Sequence, residues 1–337
     1  MAIAATTGRS ATFTERDVRK GVTEIIALDT PFVSSIGADP APLETTPEWQ
    51  LKTFSARSKD GQLEGATPAD ADYQNNLANK AMLKGRFIKQ WRPVGVTKEM
   101  KLMGNQYNEG DPLAANVVDF TKVIYSDAEY FALSDDESVA PVAGSTASKG
   151  RGILRWISNA DGRFTDTDTT PASAYRTPTG SILTSKAAAS DITESEIAAL
   201  ITSVAKTRRK AGLRFMGLCS ADMRDVFDSY SRTDKSFTTS AYPVSRFAQT
   251  QGSIDREVTM YKSSNGSVEL MTSFDLDSTC HFALLTPDLV KKAYAQGVKV
   301  GVEGVSTQVD KRIIDVIWVL KNLNPGAHGK AITGATA

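Results

Sequence analysis

One stretch limits what this chain can fold into. Two strand-like runs, EWQLKTF at 48–54 and RFIKQWRPVGV at 86–96, flank the polar excursion SARSKDGQLEGATPADADYQNNLANK. The excursion has too few apolar residues to build a core of its own. It is also far longer than the connections that join strands inside compact domains, and loops of that length carry function or stay unstructured. The pattern predicts an extended hairpin that leaves the body of the protein and needs a neighbour to order it.

The rest of the chain supplies the body. Residues 1–13 are small and polar and read as a loose arm. Thr14 then caps an expected helix over 15–28, with Glu15 and Asp17 in its first turn, where acids suit the helix dipole. Residues 30–42, TPFVSSIGADPAP, read as extended. Asp111-Pro112 is a helix start, with an acid at the cap and proline at the first helical position. Val117, Phe120, Ile124, Ala128 and Phe131 fall at helical spacing after it. A helix reaching Ser134 would be roughly 35 Å long. Asp135, Asp136 and Glu137 sit at the wrong end for the dipole and read as a solvated turn. Residues 138–192 read as loops around one apolar island, GILRWI.

From Thr193 the pattern turns to compact α/β. Thr193 and Glu196 form a capping box before the stripe Ile197, Leu200, Ile201, Val204. Lys206, Arg208, Arg209 and Lys210 close that helix, and Gly212 is its expected cap. LRFMGLC reads as a buried strand, and Ser220 caps a second helix. Asn265-Gly266 marks a hairpin. CHFALL, GVKVGVEGV and TQVDKRIIDVIWVLKNL read as strands completing one sheet, with 313–320 buried on both faces.

The residues exclude most chemistry. Lys and Arg number 39, as do Asp and Glu, so there is no basic excess for nucleic-acid binding and any DNA contact would be weak and non-specific. No apolar run approaches the roughly 20 residues of a membrane span. Cys219 and Cys280 lie in apolar stretches and read as buried thiols. His281 and His328 are the two histidines, too few for a His-rich metal site. GSTASKG lacks the phosphate-loop order, and no nucleophile elbow or metalloprotease motif occurs. No catalytic residue, cofactor or metal is expected.

An ordered series of segments does resemble a known family. TPFVSSIGAD, PEW, EGATPADAD, GRFIKQWRPVGVTKEM, the long amphipathic helix with its acidic end, RGILRWI, ITSVAKTRRKAGLRFMGLCSADMRDVF, YKSSNGSVELMTSF and LKNLNPGAHGKAITG follow one another as in tailed-bacteriophage major capsid proteins. The resemblance covers nearly the whole chain. It implies an α+β fold of the Hong Kong 97 type, with an N-terminal arm (1–44), an extended loop (45–100), a peripheral domain with a spine helix (101–192 with 291–337) and an axial domain (193–290). It implies a subunit that assembles through pentamers and hexamers into an icosahedral shell around double-stranded DNA. Its partners would be other copies of itself, a portal, scaffolding and decoration proteins, in a virion put together in the host cytoplasm. Only about fourteen residues precede the first expected helix, so scaffolding would come from another chain or be absent.

Inter-subunit contacts are expected from Trp49, Lys52, Phe54, Arg57, Lys59, Gln62, Glu64, Arg86 and Trp91 of the extended loop. The spine would pack through Val117, Phe120, Ile124 and Phe131. Some relatives join a Lys to an Asn covalently; Lys52, Lys59 and Asn322 are of the right types, but no crosslink is predicted. Two other readings stand beside this one: an encapsulin-like compartment of the same fold, which would hold protein cargo, and a soluble α/β enzyme, which would form a small oligomer with a pocket of perturbed acids.

Overall fold

The computed structural model describes residues 29–40, 44, 46–52, 59, 64–65, 67, 80–106, 111–233, 247–248, 260–305 and 309–334. In chain order the elements are α1 (Pro31–Ser35), β1 (Gly37–Asp39), β2 (Glu48–Lys52), β3 (Lys80–Lys84), β4 (Ile88–Thr97), α2 (Lys98–Gln106), α3 (Pro112–Ala132), α4 (Ile153–Trp156), β5 (Ile182–Leu183), α5 (Glu194–Arg208), β6 (Leu213–Cys219), α6 (Ala221–Thr233), β7 (Phe247–Ala248), β8 (Met260–Ser263), β9 (Gly266–Thr272), β10 (Cys280–Leu285), β11 (Val290–Val305), β12 (Val309–Asn322) and β13 (Gly329–Ile332). The helix expected over 15–28 lies outside the described residues.

The strands form two large sheets, not one. A four-stranded sheet has the order β1-β11-β12-β4, and a seven-stranded sheet has the order β5-β13-β10-β6-β9-β8-β7. The seven-stranded sheet separates two apolar cores, because residues along its central strands alternate between faces. Leu213, Phe215, Phe282 and Leu284 point to the side covered by α5 and α6. Met216, Leu218, Ala283 and Leu285 join the core shared with α3 and the four-stranded sheet. Sheet membership crosses the boundary expected at 290–291, since β13 pairs with β10.

Several local expectations meet the geometry. The Asp111 carboxylate accepts from the N–H of Leu113, and proline follows at the first position of α3. Thr193 and Glu196 cap α5 reciprocally, through Glu196 Oε2 accepting from the Thr193 N–H at 2.9 Å. Ser220 Oγ accepts from the N–H of Met223 at 3.2 Å, at the start of α6. Others are corrected. α5 ends at Arg209, which takes the left-handed conformation (φ 49°) in place of Gly212. Residues 31–35 are a short helix, not extended chain. In β12, Ile314 and Val316 are buried while Ile313, Asp315 and Ile317 stay partly open, because α3 covers one face only. Burial on both faces begins at Trp318.

Candidate assembly surfaces

The excursion is rooted in a two-stranded ladder, but with a different partner from the one its sequence suggests. β2 pairs antiparallel with β3, in the register Trp49↔Leu83 and Lys52↔Lys80. The RFIKQWRPVGV run instead supplies β4, which pairs with β12 in the four-stranded sheet. Gly85 makes this separation of sheets feasible. A Cβ there would lie 3.0 Å from Val319 Cγ2 and 3.2 Å from the Trp49 ring, so a side chain would press on both and push them aside by a few tenths of an ångström.

Trp49 pins the root. Its ring is buried beside Trp156, with centroids 5.8 Å apart, and its Nε1–H donates to the Asn322 carbonyl at 2.9 Å. Trp49 therefore leaves the set of expected inter-subunit contacts, because its own chain uses its surface and its polar atom. Arg86 leaves it too. The guanidinium is buried, with Nε donating to Asp166 Oδ2 at 2.6 Å and Nη2 to Asp168 Oδ2 at 2.8 Å. These bonds hold its pKa above the ordinary value and pull that of Asp166 down to about 2. Lys52, Lys59, Glu64 and Trp91 are exposed on the surface, Trp91 by 55%. Phe54, Arg57 and Gln62 lie outside the described residues. Asn322 is fully buried, with Oδ1 accepting from His328 Nε2 at 3.0 Å.

The spine helix α3 lies across β4 and β12. Ile124 and Phe131 are buried, Val117 and Phe120 pack partly against the same core, and Phe131 meets Trp318 edge-on at 5.6 Å. Arg92 clamps Asp127 through Nε and Nη2 at 2.8 and 2.7 Å, tying β4 to the helix. Of the acidic triplet after the helix only Asp136 is exposed as a solvated turn would be; Asp135 and Glu137 are partly buried. Glu137 accepts from Arg151 Nη2 at 2.5 Å and from Arg155 Nε at 3.1 Å, and Asp135 accepts from Arg163. Arg151 is buried between the Trp156 and Phe164 rings, 4.5 and 4.9 Å from their centroids. Arginines distant in sequence thus pair with Asp135 and Glu137 at the helix end.

Helix α1 docks on the spine through one buried carboxylate. Glu129 Oε1 accepts from the Phe32 N–H at 2.9 Å and Oε2 from the Val33 N–H at 2.6 Å, at the helix end where backbone donors lack partners. Lys292 Nζ donates to the Val33 carbonyl at 2.5 Å. Burial pushes the Glu129 pKa up to about 7, partly offset by those two N–H groups, while Asp275 and Asp29 raise it further. The folded chain thus holds a proton on Glu129 that the unfolded chain, at 4.5, releases. Stability from this group is full below pH 4.5 and declines as pH rises to about 7, by roughly 3 kcal/mol in all. Urea unfolding at pH 5 and pH 7.5 measures it, and Glu129→Gln is expected to remove most of that difference.

Among the described residues the histidines and cysteines take structural roles. His281 Nε2 lies 2.9 Å from the Lys186 carbonyl, and the Thr286 N–H donates to His328 Nδ1. His328 is fully buried and held neutral, its pKa pushed down to about 3. Both cysteines are buried free thiols, and burial raises the pKa of each. Among the described residues no three His, Cys, Asp or Glu groups gather as metal ligands, and no helix is long and apolar enough to cross a membrane.

A rooted arm, a long spine helix, a sheet of long strands beside it and an α/β lobe define a virus-shell subunit of the Hong Kong 97 type. The sequence matches the family of SU10 major capsid proteins over residues 5–336, and the chain belongs to that family. It is a structural capsid protein and not an enzyme. The capsid protein of cyanophage A-1(L) is similar in fold, with TM-score 0.58 and 13% identity, covering 95% of this chain and 97% of that one. That of cyanophage P-SCSP1u has TM-score 0.57 and 13% identity, over 98% and 95%. The holo-SrpI encapsulin complex from Synechococcus elongatus has TM-score 0.52 and 10% identity, over 93% and 92%. No curated protein matches the chain in sequence.

Proposed function

We propose that this major capsid protein assembles through pentamers and hexamers into an icosahedral shell around double-stranded DNA, each subunit laying its 53–79 excursion on a neighbour. The observation that carries the reading is the root of that excursion. A ladder locked into the core by Trp49 holds out a polar segment that has no core of its own. Of the contacts expected here, Lys52, Lys59, Glu64 and Trp91 are described and exposed. A shell repeats one surface in many near-equivalent settings, so its contacts are head-to-tail and close into rings. A net charge of zero keeps repulsion between many like subunits low and favours weak, non-specific contact with DNA. The arm (1–44), extended loop (45–100), peripheral (101–192 with 291–337) and axial (193–290) divisions remain the working domain description. Portal, scaffolding and decoration proteins are the partners this reading adds, with assembly in the host cytoplasm.

Electron microscopy of the purified chain, alone and with scaffolding protein supplied, tests the reading. Rings of five or six, tubes or closed shells support it. A monomer or dimer that persists at high concentration with scaffold present overturns it. Particles holding a protein in place of nuclease-resistant DNA would favour an encapsulin-like compartment.

A further inference from the structure

A cavity of about 130 Å³ lies where the end of the spine meets the seven-stranded sheet. Three parts of the chain line it: Asp135 just after α3, Leu154 and Arg163 from the segment that follows, and Thr279, Lys330 and Gly334 around β10 and β13. Thr279 and Gly334 are exposed and form its mouth. Leu154 and Lys330, each 1% exposed, form its floor. The protein leaves the polar groups of this lining incompletely used. An ammonium has three N–H donors, and one of those on Lys330 donates to the Leu154 carbonyl at 2.9 Å. Its Nζ stands 3.9 Å from Asp135 Oδ1, too far for a hydrogen bond. Asp135 Oδ1 and Arg163 Nε are buried, and neither has a hydrogen-bond partner in the protein. Asp135 uses only its other oxygen, which accepts from Arg163 Nη2 and lies 3.6 Å from Arg155 Nη1.

Burying a polar atom without a partner is unfavourable, and more so when its group is charged. The charges do not balance either. The lining carries two cations, Arg163 and Lys330, against one acid, Asp135. Arg155, which also reaches Asp135, has Glu137 as its own partner. Burial lowers the Lys330 pKa to about 8 with Asp135 opposing the shift, as expected of an ammonium whose charge is only partly balanced. We infer that this cavity binds a small oxyanion that still carries a proton, of the dihydrogen phosphate or bicarbonate kind. Its oxygens accept from Lys330 Nζ and Arg163 Nε, its charge balances the second cation, and its O–H donates to Asp135 Oδ1. Water meets the hydrogen bonds but not the charge. An anion without a proton meets the charge but faces Asp135 oxygen to oxygen. Size agrees: a water takes about 30 Å³ in the liquid, so the cavity has room for such an ion. The bound ion ties the spine end, the segment after it and the seven-stranded sheet together.

Isothermal titration of unassembled subunits with phosphate and with bicarbonate, in a buffer free of both, tests the site apart from shell formation. One site per subunit is expected for at least one of the two ions. Sulfate, which at neutral pH has no proton to offer Asp135, should bind at least tenfold more weakly. Arg163→Met and Lys330→Met should each weaken binding at least tenfold. Asp135→Asn should remove the preference over sulfate, since an amide donates where the carboxylate only accepts. Where a variant fails to fold, the selectivity of the unaltered chain decides alone. Three results would each overturn the inference. The first is no uptake of either ion up to about 10 mM, enough to fill a site of about 1 mM affinity. The second is sulfate bound as tightly as phosphate or bicarbonate. The third is affinity kept in folded Arg163→Met and Lys330→Met subunits.

Discussion

Replacing residues 53–79 by Asn-Gly is expected to leave the subunit folded and to stop it closing shells. Lys52 and Lys80 are the last paired residues of the β2–β3 ladder, so a two-residue turn joins them in the existing register. The residues that hold the root, Trp49, Leu83 and Gly85, all lie outside the deletion. Unfolding free energy should change by less than about 1 kcal/mol, in line with the weak dependence of loop-closure entropy on length. Assembly should respond very differently. An interface of ordinary size buries about 800 Å² per partner, and losing about 3 kcal/mol from one contact weakens it roughly a hundredfold. In a shell that loss recurs at every subunit. Sedimentation should show capsomers or monomers where the unaltered chain gives shells. Shells at normal yield from the shortened chain would remove the excursion from the list of assembly contacts.

Trp49→Ala should have the opposite profile, striking the fold of the subunit itself. The ring is buried against Trp156, and its N–H satisfies the Asn322 carbonyl. Truncating a buried tryptophan costs about 3–5 kcal/mol through lost burial and the cavity left behind. That is a large part of the stability of an ordinary domain. Urea unfolding measures the loss. Because Trp49 is the buried residue of β2 in the core, protease cleavage within 44–52 should rise before global unfolding. A loss below about 1 kcal/mol would mean the root is held elsewhere, and Trp49 would return to the candidates for contact with a neighbour.

Part of the assembly region is legible in sequence. The polar excursion is, because a stretch with so few apolar residues announces that it has no core. The pairing of its root is not. RFIKQWRPVGV is the stronger strand pattern and draws the eye, whereas KAMLK (80–84) is short and flanked by lysines. The family resemblance places Trp49 and Arg86 in the extended loop and so among its expected contacts. Only the fold brings Trp156, Asn322 and Asp166 to them from distant parts of the chain.

Chain-local physics determined what the sequence alone could settle: caps at Asp111, Thr193 and Ser220, the apolar stripes of α3 and α5, the turn at Asn265-Gly266, and the absence of catalytic motifs. Each rests on residues within a turn or two of one another, so spacing along the chain suffices. Tertiary structure decided the rest: the split into two sheets, the arginines that pair with Asp135 and Glu137, and the short helix at Pro31–Ser35. That helix forms where sequence suggests extended chain because the Glu129 carboxylate, nearly a hundred residues away, supplies acceptors for its first N–H groups. Interactions between residues so far apart leave no periodic mark in the sequence, and only the folded chain makes them visible.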